Sequence, residues 1–244
     1  GFQTFVAFGD AHGDMASKEA IVALEKHIKD FKPDHRICLG DMFDFRALRK
    51  GIGREESDAY SDLVTDTTAA YGWLERLKPT VFLNGNHEYR LYRVAEEAAN
   101  GIVRQYAAEG IEKLETYLRK MGCKVYPYHY QQGVHTIGKV AFIHGYSASQ
   151  AAVKQSAEVY SPPGGATVMG HLHRIEAVHA VRHGGAQGYS GGCLASIPAL
   201  TYASLRHATM RWANGWLYGL ISTRKGGGFK IWQAEKVDGV WIHP

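Results

Sequence analysis

Three short apolar segments in the first third of the chain each run into a glycine followed by Asp or Asn, and this pattern restricts the possible folds most. Helical patterns separate the segments: apolar residues recur at helical spacing over Met15–Phe31, and a second helix is predicted over Ser57–Leu77. Alternating strands and helices are typical of an α/β fold with a largely parallel sheet. Ligands bind such sheets beyond the carboxyl ends of the strands. The segments are Thr4–Phe8 before Gly9-Asp10, Arg36–Leu39 before Gly40-Asp41, and Thr80–Leu83 before Asn84-Gly85-Asn86-His87.

The second half of the chain has a different pattern. A long helical stretch, Tyr89–Met121, interrupted near Gly101 and Gly110, precedes it. From Cys123 onward, short strands alternate with Gly-rich turns, which predicts a mostly antiparallel or mixed sheet. Both halves supply candidate site residues, so residues 1–244 are predicted to form a single domain of two packed sheets. The predicted strands are Val134–Ile137, Lys139–Ile143, Thr167–Met169, Glu176–Val181, Gly188–Cys193, Trp216–Thr223, Phe229–Ala234 and Val240–His243.

Composition limits the class of protein. Of the 244 residues, 45% are hydrophobic, enough for a sizeable core, but no run approaches the roughly 20 apolar residues that cross a bilayer. The first eight residues lack the basic start and the cleavage site of a secretory signal. Cys38, Cys123 and Cys193 form no CxxC pair, which disfavours a disulfide framework and predicts a cytoplasmic protein. The net charge of +4 is a weak indication of a polyanionic partner.

Five segments place Asp, His or Asn after a hydrophobic strand. One such segment alone is usually incidental, but five in one chain predict a metal site. Carboxylate, amide and imidazole ligands suit Mn, Zn or Fe better than Ca, and the adjoining glycines allow a close backbone approach. On an extended strand, His171 and His173 would share one face and could ligate two adjacent ions. The segments are Gly9-Asp10-Ala11-His12-Gly13, Gly40-Asp41-Met42-Phe43-Asp44, Gly85-Asn86-His87-Glu88, Ile143-His144-Gly145 and Met169-Gly170-His171-Leu172-His173.

The ordered set of these motifs resembles the calcineurin-like metallophosphoesterase superfamily over residues 10–173. The resemblance implies a four-layer αββα sandwich, in which helices flank two mixed β-sheets and a dinuclear metal site lies at the strand ends. It also implies two divalent ions, with Mn expected and Zn, Fe, Ni or Co as alternatives. One ion would be bound by Asp10, His12, Asp41 and His173, and the other by Asn86, His144 and His171, with Asp41 bridging the pair.

The resemblance further implies hydrolysis of a phosphate ester by a hydroxide that bridges the two ions. His87, beside Asn86, matches the family histidine that is not a ligand, and would act as general acid. Asp44 is the carboxylate expected to orient it. The expected substrates are phosphodiesters, phosphomonoesters or both, including nucleotides or nucleic acid, and no membrane partner is expected.

Two departures bear on the substrate. The protein Ser/Thr phosphatase branch has an arginine directly after the second aspartate, where this chain has Phe45, with Arg46 one position later. The segment Gly170–His173 is more similar to the phosphodiesterases and nucleases of the superfamily. A narrower resemblance, to predicted metallophosphoesterases of bacteriophages and bacteria, rests on Gly192-Cys193-Leu194 and Trp212-Ala213-Asn214-Gly215-Trp216. A protein phosphatase, a nuclease and a metal-bound interaction module without activity remain alternatives.

Basic residues near the motifs are either a solvated surface or an electropositive rim that attracts phosphorylated substrates. Arg46 and Arg90 are the candidate substrate contacts. Tyr89 and Tyr92 alternate with arginines, as in sites that stack bases, although helical spacing also suits packing. The basic residues are Arg46, Arg49, Lys50, Arg54, Arg90, Arg93 and Arg174; the histidines predicted to be structural or on the surface are His27, His35, His129, His135, His179, His183, His207 and His243.

Overall fold

A computed structural model describes residues 1–51, 58, 61–200 and 210–243, and these form two β-sheets flanked by helices. The helices are α1 Lys18–Phe31, α2 Leu63–Leu77, α3 Asn86–Glu97, α4 Gly101–Lys120 and α5 Ala152–Tyr160. The strands are β1 Phe2–Phe8, β2 His35–Cys38, β3 Val81–Leu83, β4 Lys124–Tyr126, β5 His135–Ile137, β6 Val140–Ile143, β7 Gly165–Met169, β8 Ile175–Ala180, β9 Ala186–Gly191, β10 Gly215–Ser222, β11 Phe229–Val237 and β12 Val240–Ile242.

The seven-stranded sheet has the order β12-β11-β10-β1-β2-β3-β4. Strands β1 to β4 are parallel neighbours, as predicted for the first half. The last three strands return to this sheet, because β10 pairs antiparallel with β1 along Phe2–Ala7. The sequence pattern placed them with the other strands of the second half, which was wrong. Alternation within a strand reports which faces are buried, but not which neighbour the strand pairs with.

The second sheet has the order β5-β6-β7-β9-β8 and is mixed, with parallel pairing among β6, β7 and β9 and antiparallel strands at both edges. The two sheets pack face to face through side chains such as Phe5 on β1 and Phe142 on β6, whose rings meet edge to face at 5.1 Å. Helices α1 to α4 cover the outer face of the larger sheet, and α5 packs on the smaller one. The predicted four-layer sandwich is thereby confirmed.

Capping residues define where several helices begin. Helix α1 begins at Lys18 and not at Met15, because the Ser17 hydroxyl accepts the Ala20 N–H. Asp62 caps α2 at Leu63, so residues 58 and 61–62 lie outside the helix that was predicted from Ser57; residues 57, 59 and 60 are outside the described ranges.

The predicted break at Gly101 is present, because Asn100 caps α4 there. The predicted break at Gly110 is wrong, since α4 continues through it. A Cβ at Gly110 would lie 3.2 Å from Leu91 of α3, so the glycine serves close helix packing and not a turn. Strand β4 and helix α5 were not predicted.

Candidate metal centre

The five polar segments meet at one end of the sandwich. Asp10, Asp41 and Asn86 follow β1, β2 and β3, which are parallel neighbours in the larger sheet. His144 follows β6, and His171 and His173 follow β7, its parallel neighbour in the smaller sheet. The carboxyl ends of both sets of strands therefore face each other across the gap between the sheets.

The seven predicted ligands form two adjoining groups. Asp10, His12 and His173 each offer a ligand atom, and these atoms lie within 4.8 Å of one another. Asp41, His144 and His171 satisfy the same distance, and the Asn86 Oδ1 is 3.0 Å from the His144 Nε2. Asp41 also groups with His12 and His87, so it lies between the two sets, in the position expected of a bridging residue.

The backbone around these side chains adopts an unusual conformation. Five of the seven predicted ligands have positive φ, with values from 51° at Asp41 to 69° at His171. Non-glycine residues adopt this left-handed conformation only where the surrounding structure enforces it, and such positions cluster at functional sites. The other three are Asp10, His12 and His173.

The placement of the last histidine pair on an extended strand was wrong. Both His171 and His173 are left-handed residues in the turn after β7, and they belong to different ligand groups. The turn is held by Asp10, whose carboxylate accepts the His171 N–H at 3.0 Å. A carboxylate of one group therefore fixes the backbone that carries a histidine of the other.

Glu88 organises the loops but was not predicted as a site residue. Its carboxylate is fully buried and accepts N–H groups from Asp41 at 2.8 Å, Phe43 at 3.0 Å and Gly85 at 2.7 Å. Burial, and then the charge of Asp41, raises the pKa of Glu88 to about 7. The available signal was its place three residues into a helix after Gly85, where an acidic side chain can reach back to the helix start.

Asp66 has a similar role and carried no signal in the sequence. This α2 carboxylate is buried and accepts the Asp44 N–H at 3.0 Å and the Phe45 N–H at 2.7 Å. Burial raises its pKa. It fixes the turn in which Phe45 is left-handed, and so orients the Asp44 side chain into the site.

Asp44 contacts two histidines. Its Oδ1 lies 2.9 Å from the His12 Nδ1 and 3.1 Å from the His87 Nδ1, and its backbone carbonyl lies 2.7 Å from the His87 Nδ1. Burial alone would raise the pKa of Asp44, but its hydrogen bonds with His12 and His87 outweigh this and lower it. An ionised carboxylate only accepts hydrogen bonds, so the His12 Nδ1 carries a hydrogen and the Nε2 is the ring nitrogen left for a cation.

Arg46 and Arg90 differ in their relation to the site. Arg46 forms a bidentate ion pair with Asp14 at 2.8 Å for both nitrogens, and its Nε donates to Ser61. Arg90 donates to the Asp44 carbonyl at 3.0 Å and to the His87 Nε2 at 3.1 Å. Arg90 therefore borders the histidine predicted to be the acid, whereas the Arg46 guanidinium is paired with Asp14 and lies 3.6 Å from the Asp44 Oδ2.

Two of the remaining basic residues, Arg93 and Arg174, are bound to partners other than the predicted acid. Arg93 donates to the Leu48 carbonyl. Arg174 is buried, pairs with Glu176, and also donates to the Ser149 carbonyl. Arg54 lies outside the described residues. Among the described arginines named from the sequence, Arg90 is thus the one with a hydrogen bond to the predicted acid.

The donor set fits divalent cations. The His144 Nδ1 lies 2.7 Å from the Leu39 carbonyl and donates to it, so the Nε2 is the ring nitrogen left for a cation, which would displace the hydrogen that this atom now donates to the Asn86 Oδ1. Metal-binding histidines typically donate their other N–H in this way. The His12 and His173 Nε2 atoms face each other at 3.1 Å in a buried space beside the Asp10 carboxylate. Buried carboxylates and converging imidazole nitrogens are the donors that a divalent cation would bind.

The electrostatics of the two groups agree with this fit. Burial lowers the pKa of His144, but the neighbouring Asp41 and Asp10 charges raise it to about 9. Burial, and then the proximity of His144, lowers the pKa of His171 to about 4. The carboxylates thus favour a protonated His144, and its proton places positive charge at the centre. Bound cations would supply the same charge.

Three cysteines and one histidine outside the motifs lie in the interior of the protein. Cys38 is completely buried, and Cys123 and Cys193 are buried thiols outside any disulfide. His27 is buried and accepts a hydrogen bond from the Trp216 indole at 2.7 Å. His207 lies outside the described residues. Within the described part of the chain, no helix is both long enough and apolar enough to traverse a bilayer.

Comparison with known proteins gives one family and a shared fold. The sequence model of the calcineurin-like phosphoesterase family matches residues 3–188. Among curated proteins, no sequence matches this chain. The structure of wild-type Vps29 from Entamoeba histolytica in complex with Zn²⁺ is 12% identical, covers 98% of this chain and 96% of its own, and superposes with a TM-score of 0.50.

Two further structures have the same identity of 12% to this chain. A metallophosphoesterase from Sphaerobacter thermophilus covers 90% of this chain and 83% of its own, with a TM-score of 0.45. Yfce, a phosphoesterase from E. coli, covers 90% of this chain and 88% of its own, with a TM-score of 0.42. At 12% identity, the likeness to Vps29, with its TM-score of 0.50, speaks to the fold alone.

Proposed function

The chain belongs to the calcineurin-like phosphoesterase family, and from that premise we propose that it hydrolyses phosphate esters at the metal centre described above. The observation that carries the proposal is the convergence of Asp10, His12 and His173 with Asp41, His144 and His171 in two adjoining groups. Asn86 would complete the second group. Asp41, between the groups, would be shared by the two ions.

Two divalent ions bound there supply charge neutralisation at the phosphoryl oxygens and a water of lowered pKa. The protein contributes the fixed ligand geometry. Glu88 and Asp10 clamp the loops, and Asp44 and the Leu39 carbonyl orient the His12 and His144 rings. Mn²⁺ is the ion we expect, with Zn, Fe, Ni and Co as alternatives for this donor set.

His87 is the proposed general acid for the leaving alkoxide. Its Nδ1 donates to the Asp44 carbonyl, which fixes the ring so that the Nε2 is directed towards Arg90 and lies 3.9 Å from the Asp41 Oδ2. Arg90 now donates to this Nε2. We propose that an incoming phosphoryl oxygen takes the Arg90 hydrogen bond instead, and that the Nε2 then takes up a proton from solvent, which it passes to the leaving alkoxide. Substrate binding and readiness of the acid would thereby be linked.

The proposed substrates are small or nucleotide-like phosphodiesters or phosphomonoesters. The position of the phosphoprotein-phosphatase arginine is taken by Phe45, which is buried and stacks on Phe43 at 5.2 Å. Arg46 is held by Asp14. Both observations favour small esters over phosphoproteins.

Hydrolysis assays with purified protein and Mn²⁺ test the proposal. The substrates are p-nitrophenyl phosphate, its bis ester, a phosphopeptide and single-stranded DNA. We expect turnover of one of the first two. His87→Ala should keep its bound metal while turnover falls about 10²–10⁴-fold, and His183→Ala, an exposed histidine, is the matched control.

Three outcomes would overturn the proposal or change its substrate. Absence of turnover with Mn, Zn, Fe, Ni and Co, despite measured metal binding, would leave the interaction module as the explanation. Preference for the phosphopeptide would favour the protein phosphatase, and preference for DNA the nuclease.

A further inference from the structure

A chain of aromatic rings leads outward from the open side of the metal centre. Asn86 and His171 are half-buried there, whereas the other predicted ligands are buried. The Tyr128 ring lies against the His144 ring, with centroids 5.8 Å apart. The next ring outward is Tyr89, at 5.7 Å from Tyr128. The proposed hydrolysis assigns neither tyrosine a role.

The inner ring of this chain is braced. The Tyr128 hydroxyl donates to the Gly145 carbonyl at 3.4 Å, and the Tyr146 ring lies 5.2 Å behind it. The Tyr146 hydroxyl in turn donates to the His129 carbonyl at 2.8 Å. Tyr128 is therefore held in place by the segment that carries His144, and an ordered ring costs little additional entropy when a ligand binds it.

The outer ring is accessible. Tyr89 is 41% exposed and lies in the first turn of α3, three residues after Asn86. Its ring is inclined at 45° to that of Tyr128, so the two rings do not cover each other's faces as stacked rings would. Tyr92, the other tyrosine of the sequence pattern, instead donates its hydroxyl to Glu115 of α4 and is half-buried. The structure therefore separates a packing tyrosine from an available one.

We propose that Tyr89 and Tyr128 form a stacking subsite for a planar aromatic group of the phosphate ester, with a nucleobase as the chemical class. The inference rests on the proposed phosphoesterase function for the phosphate half of the substrate. Aromatic side chains bind bases through their faces, with modest sequence preference. Arg90, next to Tyr89 in the chain, places a cation at the phosphate side of the same substrate. The site would then select nucleotides over phosphate esters of aliphatic alcohols.

Steady-state kinetics with Mn²⁺ test this selectivity on two monoesters that differ in the base alone, adenosine 5′-monophosphate and ribose 5-phosphate. The wild-type kcat/KM should favour the nucleotide by about fivefold or more. In Tyr89→Leu most of this preference for the nucleotide should be lost, and in Tyr89→Phe the preference should be retained. Tyr106→Leu, which removes a comparably exposed tyrosine from α4, is the matched control. Equal kcat/KM for the two esters, or a ratio unchanged in Tyr89→Leu, would overturn the subsite.

A binding measurement keeps the subsite testable if neither monoester is hydrolysed. Saturation-transfer NMR on the Zn²⁺-loaded protein should detect adenosine but not ribose, and the adenosine signal should fall in Tyr89→Leu and not in Tyr106→Leu. Failure of hydrolysis together with this signal would contradict the proposed function at these esters and support the subsite. Absence of adenosine binding in this measurement would overturn the subsite, whatever the outcome of the hydrolysis assays.

Discussion

The Glu88 carboxylate accepts the backbone N–H of Asp41 at 2.8 Å, and so an α3 side chain holds the loop that carries the residue shared by the two ligand groups. The same carboxylate holds the N–H of Gly85. The loops after β2 and β3 are therefore tied together at a single buried group. Such outer contacts decide how accurately ligands are placed.

Glu88→Gln should weaken Mn²⁺ binding by about 10–100-fold. The Glu88 Oε2 accepts from both Asp41 and Gly85, and an amide NH₂ at that position could accept from neither. Titration calorimetry of the purified variant measures the change. Asp30→Asn, which alters an exposed carboxylate paired with Lys26, is the control. Wild-type affinity in Glu88→Gln would contradict the positioning role.

Gly85→Ala should also impair metal binding, and by steric means alone. A Cβ at this position would collide with the Asp41 carboxylate and lie 2.7 Å from the His144 Cε1, so both ligands must move. We expect at least about a tenfold loss of Mn²⁺ affinity in calorimetry.

Gly72→Ala is the matched control, because nothing lies within 4 Å of its added methyl in the middle of α2. That change should stabilise the protein by about 0.5–1 kcal/mol in thermal unfolding. Unaltered metal affinity in Gly85→Ala would show that the two ligands have room to move.

Arg90→Gln should reduce kcat/KM for a phosphate ester by about 10–100-fold, the effect of losing a hydrogen bond from a charged group. The kcat/KM of Arg90→Lys should lie between those of the wild type and Arg90→Gln, because one ammonium cannot reproduce the paired contacts to Asp44 and His87. Metal content should stay unchanged. Arg93→Gln, which loses a contact to the Leu48 carbonyl, is the control. Wild-type kinetics in Arg90→Gln would remove the residue from the proposed mechanism.

Acid should destabilise the fold in part through His27. Its Nδ1 accepts from the Trp216 indole, and burial, then the nearby His243, lowers its pKa to about 4. Between about pH 6.5 and 4 the unfolded chain gains a proton that the folded chain excludes, so the free energy of unfolding falls as pH decreases through this range.

His27→Asn retains an acceptor for Trp216 but has no group that titrates. The free energy of unfolding of the variant, measured in urea, should therefore fall less than that of the wild type between about pH 6.5 and 4. The difference should be on the order of 2 kcal/mol. His135, whose pKa burial also lowers to about 4, keeps part of the dependence in both proteins. An identical pH dependence in wild type and variant would show that His27 does not contribute.

Local patterns were sufficient for several parts of this protein. The apolar segments before Asp10, Asp41 and Asn86 predicted parallel strands ending at one site, because strand and helix periodicities are local properties of the chain. Helix starts were predicted less accurately. The apolar spacing placed the start of α1 at Met15, whereas the Ser17 cap places it at Lys18. Strand β10 could not be placed from its own residues, because pairing with β1 is a contact between opposite ends of the chain.

The sequence by itself determined the types of donor at the site, the order in which they occur and the family they belong to. The tertiary structure decided how the donors are presented, since His171 and His173 lie in a left-handed turn after β7 and not on an extended strand. It also decided that Glu88 and Asp66 hold the loops of the site, that Phe45 stacks on Phe43, and that Tyr89 is exposed whereas Tyr92 bonds to Glu115. The physical reason is that donor chemistry belongs to single residues, whereas direction and proximity arise when left-handed turns, buried carboxylates and two facing sheets constrain one another.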